Sequence, residues 1–451
     1  MLVAGVLVLA AVGFAARGGD EPGSRTEPAT RAEPTARAEP TTRAEPTTRA
    51  QPATRAVPAE AFLDSVGVQT HAAYYDTAYA DADRVAEAVA YLGVRHVRDG
   101  VRTGAVNERA LRLLERLGRS GVRLNLGPDV PLEASDRIGQ ALVLIRDRLL
   151  RYTVSIEGPN EIDSIGGPAW VERVRNQQRD LYTRVKRDPR LRHLPVLAPT
   201  LADNRNQAAL GDLGGIADWA NLHTYPGGQP PSRPHLPDEL AAARAAVGDV
   251  PLVVSETGYH NALAQPGRQP PTSEAAAAAY FPRLFLHHFA AGVRRTYAYE
   301  LLDERPEPAR VDQERHFGLF RADFTPKPAA DSVRRLLALV RGPATTAHGP
   351  QTIDLQVSVP PERLRHLVLR RADGRLLVLL WQPASVWDRH ARRPLSPPAV
   401  GAEIGLGTTF GDVALHRVRA GAAPVRDLGA ARSVRVDVAA GEIIGLVLGP
   451  A

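Results

Sequence analysis

The chain has 451 residues, enough for two or three domains and a large core. It has no cysteine, which excludes a disulfide framework, a thiolate metal site and a cysteine nucleophile. Its formal net charge of +6 is carried almost wholly by arginine, with lysine only at Lys186 and Lys327. These arginines are spread along helical patterns among Asp and Glu, which describes a solvated mixed surface and argues against nucleic acid as a partner.

Met1 to Ala16 is an apolar run, short for a membrane span and of the right length for the apolar part of an export signal. The positive charges that usually precede such a run are missing, so residues 1–20 read as a signal peptide or as a retained membrane anchor. From Glu27 to Ala56 a six-residue unit repeats as EPATRA, EPTARA, EPTTRA, EPTTRA and QPATRA. Proline recurs in every copy and no other apolar side chain exceeds alanine, so residues 21–60 are expected to be a stiff, extended linker. A signal followed by a spacer places the folded part outside the cytoplasm, in the extracellular space or at the cell surface.

From residue 65 short apolar runs alternate with helical patterns, the signature of strand-helix units around a parallel sheet. Strands are expected at residues 65–71, 94–98, 122–126, 152–156, 195–198, 219–223, 250–256 and 296–300. Helices are expected at 81–92, capped by Gly93, and at 107–117, with Asn107 as its cap. Others follow at 138–150, 170–186, 238–246, 275–291 and 331–340, with little helix after the fifth strand. Eight such units between residues 61 and 341 match a (β/α)8 TIM barrel, whose active site lies at the carboxyl ends of its strands. After Arg341-Gly342-Pro343 the pattern becomes β-rich. A hairpin turns at Ala372-Asp373-Gly374, and residues 413–418, 433–438 and 443–448 follow as strands. Residues 342–451 therefore read as an antiparallel β-sandwich domain, a structural support or a sugar-binding module.

Two strands finish on glutamates. YTVSIEGPNE delivers Asn160 and Glu161 past the break at Gly158-Pro159, and VPLVVSE delivers Glu256. Two carboxyl groups at the ends of parallel strands are what glycoside cleavage requires, one to protonate the leaving oxygen and one to attack the anomeric carbon or activate water. His71 and His223 end strands one and six at the same face, as sugar contacts or as hydrogen-bonded structural histidines. Tyr259 and His260 follow Glu256 on a loop that lines the cleft. Asp99 and Asp163 are expected to pair with arginines, Glu157 to be partnered inside the barrel, and His287-His288 to lie on the outer surface. The histidines are scattered, without HExxH, and neither G-x-G-x-x-G nor a P-loop occurs, so no metal or cofactor is expected.

The strand ending IEGPNE, the strand ending VVSE, the HTY run at residues 223–225 and the passage FGLFRADFTPKPAA resemble retaining glycoside hydrolases of clan A, nearest to families 39 and 5. The resemblance spans residues 61–340. It implies a (β/α)8 catalytic domain with Glu161 as acid/base and Glu256 as nucleophile, acting on a poly- or oligosaccharide by double displacement. It further implies that Asn160 binds the hydroxyl next to the anomeric carbon, that Tyr225 holds the nucleophile and that Arg98 keeps it ionised. Clan members often carry a tryptophan at the end of strand eight as a sugar platform. Here Tyr297, Tyr299 and Glu300 stand in its place. A monomeric enzyme acting on carbohydrate is expected, the alternative being a non-catalytic carbohydrate-binding protein on the same scaffold.

Overall fold

The computed structural model describes residues 53–449, except 105–106, 131–136, 166, 266, 268 and 422. The apolar N-terminal segment and the repeat up to residue 52 lie outside the described residues, as does the side chain of Asn107. No helix among the described residues is long and apolar enough to cross a membrane.

Seven strands run parallel in one sheet. In spatial order they are Thr153–Ile156, Arg123–Pro128, His96–Val101, Val66–Gln69, Val293–Ala298, Leu252–Thr257 and Ala220–His223. The two ends of this sheet are joined by residues 195–198. Ile156 N donates to Pro195 O at 2.9 Å, Leu197 N to Ile156 O at 2.8 Å and Ala198 N to Trp219 O at 2.9 Å. The barrel therefore closes with eight staves. The fifth is held by single bridges because Pro195 and Pro199 at its ends have no N–H to give a continuous ladder.

Helices follow the staves in turn: Ala82–Leu92, Asn107–Arg119, Arg137–Leu144, Trp170–Arg187, Gln207–Leu210, Leu236–Ala245, Glu274–Ala290 and Pro328–Arg341. Asp81 caps the first by accepting from Arg84 N, and Gly93 ends it at φ 73°, a left-handed position that suits glycine. The third continues into a π-helical turn, Ile145–Leu149. Outward-facing strand residues such as Val68, Val97, Leu126 and Ile156 pack with helix residues such as Val89, Leu114 and Leu336 in one continuous core. The polar residues between them turn into the barrel. Gly67 leaves room for one inward ring, since a Cβ there would lie 2.5 Å from Tyr297 Cδ1.

The C-terminal domain is a seven-stranded, mostly antiparallel sheet built on Arg365–Arg370, Leu376–Trp381, Val400–Arg417, Arg426–Val438 and Ile443–Gly449. The expected hairpin is present, with Arg370 opposite Leu376. The expected C-terminal β-domain is present; its strands are hydrogen-bonded in one sheet, with register shifts between Gly405 and Ala414. Its alternating residues serve two cores. Leu376, Val378 and Leu380 join Val400, Ile404, Val434 and Val436 in the domain's own core, while Leu377, Leu379 and Trp381 join the core of the barrel.

The end of the repeat is structured differently from an extended spacer. Thr54–Arg55 pairs antiparallel with Thr352–Ile353, Val57–Pro58 pairs parallel with Leu369–Arg370, and Ala56 is buried in the β-domain core. A boundary at residue 60 also falls inside a helix, Ala59–Leu63. The small side chain of Ala56 and the free backbone edges of the sheet make this docking possible. A chain beginning at residue 59 is therefore expected to be about 1–3 kcal/mol less stable to urea than one beginning at residue 53, and equal midpoints would show that this pairing contributes nothing.

His287 and His288 are not on the outer surface. His288 is buried with Nδ1 3.1 Å from Thr296 Oγ1, and His287 meets the edge of Trp381 at 5.9 Å between the two domains. The β-domain covers a helix face that the sequence pattern leaves looking solvent-exposed.

Candidate active site

Arg98 lies on the second stave with its guanidinium inside the barrel. Its Nε and Nη2 grip Glu157 at 3.0 and 2.9 Å, Nη1 donates to Gln69 Oε1 and Glu256 Oε1, and Nη2 also reaches Asn160 Oδ1 at 2.6 Å. Burial works against this charge, but Glu157 and Glu256 outweigh it and hold the guanidinium firmly protonated.

Glu157 is 1% exposed and fully partnered. Besides Arg98 it accepts from Asn125 Nδ2 at 2.5 Å and Ser255 Oγ at 2.8 Å, and Ser155 Oγ donates to Asn125 Oδ1 at 2.7 Å. Burial would raise its pKa, but the charge of Arg98 and a hydrogen bond from His223 hold it well below the carboxylate range. It is the internal counter-ion expected from its strand face.

Glu256 ends the seventh stave. Oε1 takes Arg98 and Oε2 accepts from Tyr225 OH at 2.7 Å. Burial opposes its charge, but His223 and Arg98 prevail and keep it ionised. Glu161 sits just past the fourth stave in the left-handed region, at φ 50° and ψ 36°. For a non-glycine residue that backbone is strained. It is held by Glu161 N donating to Thr200 O at 3.0 Å and by Ser164 Oγ donating to Glu161 O at 2.7 Å. The Glu161 carboxylate reaches His223 Nδ1 at 2.7 Å, and the same nitrogen is 3.4 Å from Glu256 Oε2. One ligand atom from each of Glu161, His223 and Glu256 lies within 4.8 Å of the others. Carboxyls 95 positions apart in the sequence thus face one another.

His223 is 3% exposed, and its Nε2 meets Ser255 Oγ at 3.1 Å. Burial pushes its pKa down, yet Glu256, Glu157 and Glu161 lift it to about 9. Ser255 and Glu256 are adjacent and would face opposite ways in a regular strand. A register shift between Leu222 and His223 against the seventh stave lets both serve the same side.

The other expected residues separate into two groups. Asn160 stands exposed at the rim, held by Arg98. His71 stacks on Tyr74 at 4.4 Å and meets Tyr79 and Tyr299 edge-on. Tyr299 packs against Tyr225 and Phe317 and donates to Glu314 Oε2 at 3.2 Å. Glu300 is buried beside His71 and accepts from Tyr79 OH at 2.7 Å. His71, Tyr299 and Glu300 cluster past the carboxyl ends of the first and eighth staves, while Tyr297 packs with Leu197 and Val253 in the barrel.

Tyr259 is a correction. It is buried against Tyr280 and Phe281 of the seventh helix, with its OH donating to Gln229 O at 3.0 Å, so it buttresses a loop instead of facing sugar. His260 is likewise spent on Gln269 O at 2.7 Å. Among the described residues, neither Asp99 nor Asp163 binds an arginine. Asp99 accepts from Thr70 Oγ1, Ala72 N and Gly100 N, and Asp163 from Ala202 N, Asp203 N and Asn206 Nδ2. Gln69, Tyr79 and Glu314 complete the site and carry no motif in the sequence, and Ser255 appears there only as the neighbour of Glu256. Only their places at or beside strand ends point to them.

No protein-family model matches the chain, and no curated protein matches it either. Solved structures do. A family 39 glycoside hydrolase from Bacteroides cellulosilyticus WH2 aligns over 87% of this chain and 82% of its own at 13% identity, with a TM-score of 0.60. The family 39 enzyme from Xanthomonas axonopodis pv. citri aligns over 88% and 96% at 15% identity and a TM-score of 0.55. A monomeric beta-xylosidase from Caulobacter crescentus CB15 aligns over 88% and 98% at 14% identity and a TM-score of 0.55. These likenesses define the fold as a (β/α)8 barrel followed by a β-domain, the layout of family 39 glycoside hydrolases.

His223 stabilises the fold through its charge. Its pKa of about 9 exceeds the unfolded value of 6.5, so this contribution is complete below pH 6.5 and is lost as pH rises through 9. The stability gap between the wild type and His223→Gln should narrow by on the order of 3 kcal/mol between pH 6.5 and 9.5 in urea titrations. A constant gap would mean that the imidazole is neutral in the fold.

Proposed function

We propose that the protein is an exported, monomeric retaining glycoside hydrolase acting on a poly- or oligosaccharide, with Glu256 as nucleophile and Glu161 as acid/base. The observation that carries this reading is the convergence of Glu161, His223 and Glu256, with their facing atoms within 4.8 Å. Retaining pairs have carboxyl groups about 5–5.5 Å apart, whereas inverting pairs leave room for a water at about 6.5–9.5 Å. The family 39 enzymes of the same fold support the reaction class, and the monomeric xylosidase supports the single-chain state.

Glu256 is ionised and aligned by Arg98 and Tyr225, so it attacks the anomeric carbon and forms a glycosyl-enzyme. Glu161 passes to the departing oxygen the proton it draws from His223 Nδ1. His223, protonated at neutral pH and 2.7 Å from Glu161 Oε1, holds a proton within hydrogen-bond reach of that carboxyl. Glu161 then takes a proton from the water that releases the sugar. The Asn160 amide, oriented by Arg98 through its oxygen, donates to the hydroxyl beside the anomeric carbon as positive charge develops on the ring. A non-catalytic sugar-binding protein has no need of both carboxyls in this arrangement. The apolar leader and the Pro-Thr-Arg repeat support export, with the folded part carried at or beyond the cell surface.

Glu256→Ala should abolish hydrolysis of a natural glycoside, with azide restoring cleavage of an activated aryl glycoside. Glu161→Gln should lower kcat by about 10²–10⁴. Screening cell-wall and plant polysaccharides for released reducing ends identifies the substrate, and NMR of the first-formed anomer tests retention. Unchanged turnover in either variant, or an inverted product, sinks the assignment. Because His223 holds its proton up to about pH 9, kcat/KM should fall as pH rises through that value. A profile flat to pH 10.5 would remove His223 from the proton path.

A further inference from the structure

Next to the glutamate pair lies a second convergence of potential ligands. One ligand atom from each of His71, Glu300 and Glu304 falls within 4.8 Å of the others. Glu161, His223 and Glu256 meet in the same way, but those groups are engaged with each other and with Arg98, Tyr225 and Ser255. Around His71 the balance is different.

Glu300 is 0% exposed, and while its Oε2 accepts from Tyr79 OH, its Oε1 has no hydrogen-bond partner among the described residues. A buried carboxylate oxygen without a donor is costly to fold. Glu304 and Glu314 add negative charge beside it, and the nearby cations are committed elsewhere: Arg305 to Asp76, Lys327 to Asp303 and Arg98 to Glu157 and Glu256.

His71 is prepared to complement these oxygens. Its ring is fixed against Tyr74, Tyr79 and Tyr299. Its Nε2 is 3.4 Å from Glu300 Oε2 and makes only a long 3.4 Å contact with Gln69 Nε2. Tyr79 supplies the outer support that orients a ligating carboxylate, and its own oxygen is fixed by Leu302 N at 3.1 Å.

We propose that His71, Glu300 and Glu304 form a site for one divalent first-row metal ion, Mn2+ or Zn2+, in the wall of the cleft. One imidazole and two carboxylates suit such ions, and three protein ligands leave coordination positions open. Resting on the glycosidase reading, those positions take neighbouring hydroxyls of the bound sugar, so the ion selects the glycone. The proposal departs from the sequence expectation of no metal, because the three residues come from the ends of the first and eighth staves and share no motif.

The test uses the full chain, stripped with a chelator and titrated calorimetrically with Mn2+ and, separately, Zn2+. One ion per chain is expected, with a rise in Tm on binding. Glu304→Gln, at a partly exposed position that tolerates the change, and His71→Gln should each weaken binding by at least about 10–100-fold. No binding to the wild type, or unchanged affinity in both variants, overturns the proposal. Binding is read without substrate, so an ion-binding chain that hydrolyses no glycoside would refute the glycosidase reading alone. A chain that hydrolyses glycosides but takes up no ion would refute the metal site alone.

Discussion

The guanidinium of Arg98 is the constraint from which the rest of the site follows. A buried charge of this kind is tolerated only when every donor is matched, since an unpaired ion in a low-dielectric interior costs several kcal/mol. From the second stave Arg98 finds its partners on three others: Gln69 on the first, Glu157 and Asn160 at and beyond the end of the fourth, and Glu256 on the seventh. Each of these contacts requires the barrel to close in one register. The same interaction that satisfies the core therefore aims the carboxylate of Glu256, and stability and function are coupled through a single side chain.

His223 adds a second layer to this coupling. It is charged because three carboxylates surround it, and it separates two of them that would otherwise repel. One proton thus keeps Glu161 and Glu256 close together. The strained backbone of Glu161 fits the same logic, because a left-handed turn swings its side chain across the barrel mouth toward His223 when an extended strand end would not.

The β-domain bears on the site indirectly. Arg283 on the seventh helix donates to Gln382 O and Ala384 O, Trp387 Nε1 donates to Pro271 O at 2.8 Å, and Ser232 Oγ to Pro383 O at 2.7 Å. The loops after the sixth and seventh staves, which follow Tyr225 and Glu256, are thereby braced from behind. Tyr259 belongs to this bracing: it ties the loop after Glu256 to Gln229 and to the seventh helix.

The order of strands and helices, the closing barrel and the two strand-end glutamates are determined by the sequence alone, because periodicity and Gly-Pro breaks act over a few residues. Local pattern also assigns Glu157 to the interior. It says nothing about partners, and so it sends Tyr259 into the cleft, His287 and His288 to the surface, and Asp99 and Asp163 to arginines. Those outcomes are fixed by what packs on each residue: the second domain covers His287, the eighth stave takes His288 through Thr296, and backbone N–H groups of neighbouring loops claim the aspartates. Only the tertiary structure brings Ser255 and Glu256 to one side of a bulged strand, docks residues 54–58 on a sheet three hundred positions downstream, and places His71 beside Glu300 and Glu304. Such contacts depend on how distant segments share space and charge, and no short stretch of chain carries that information.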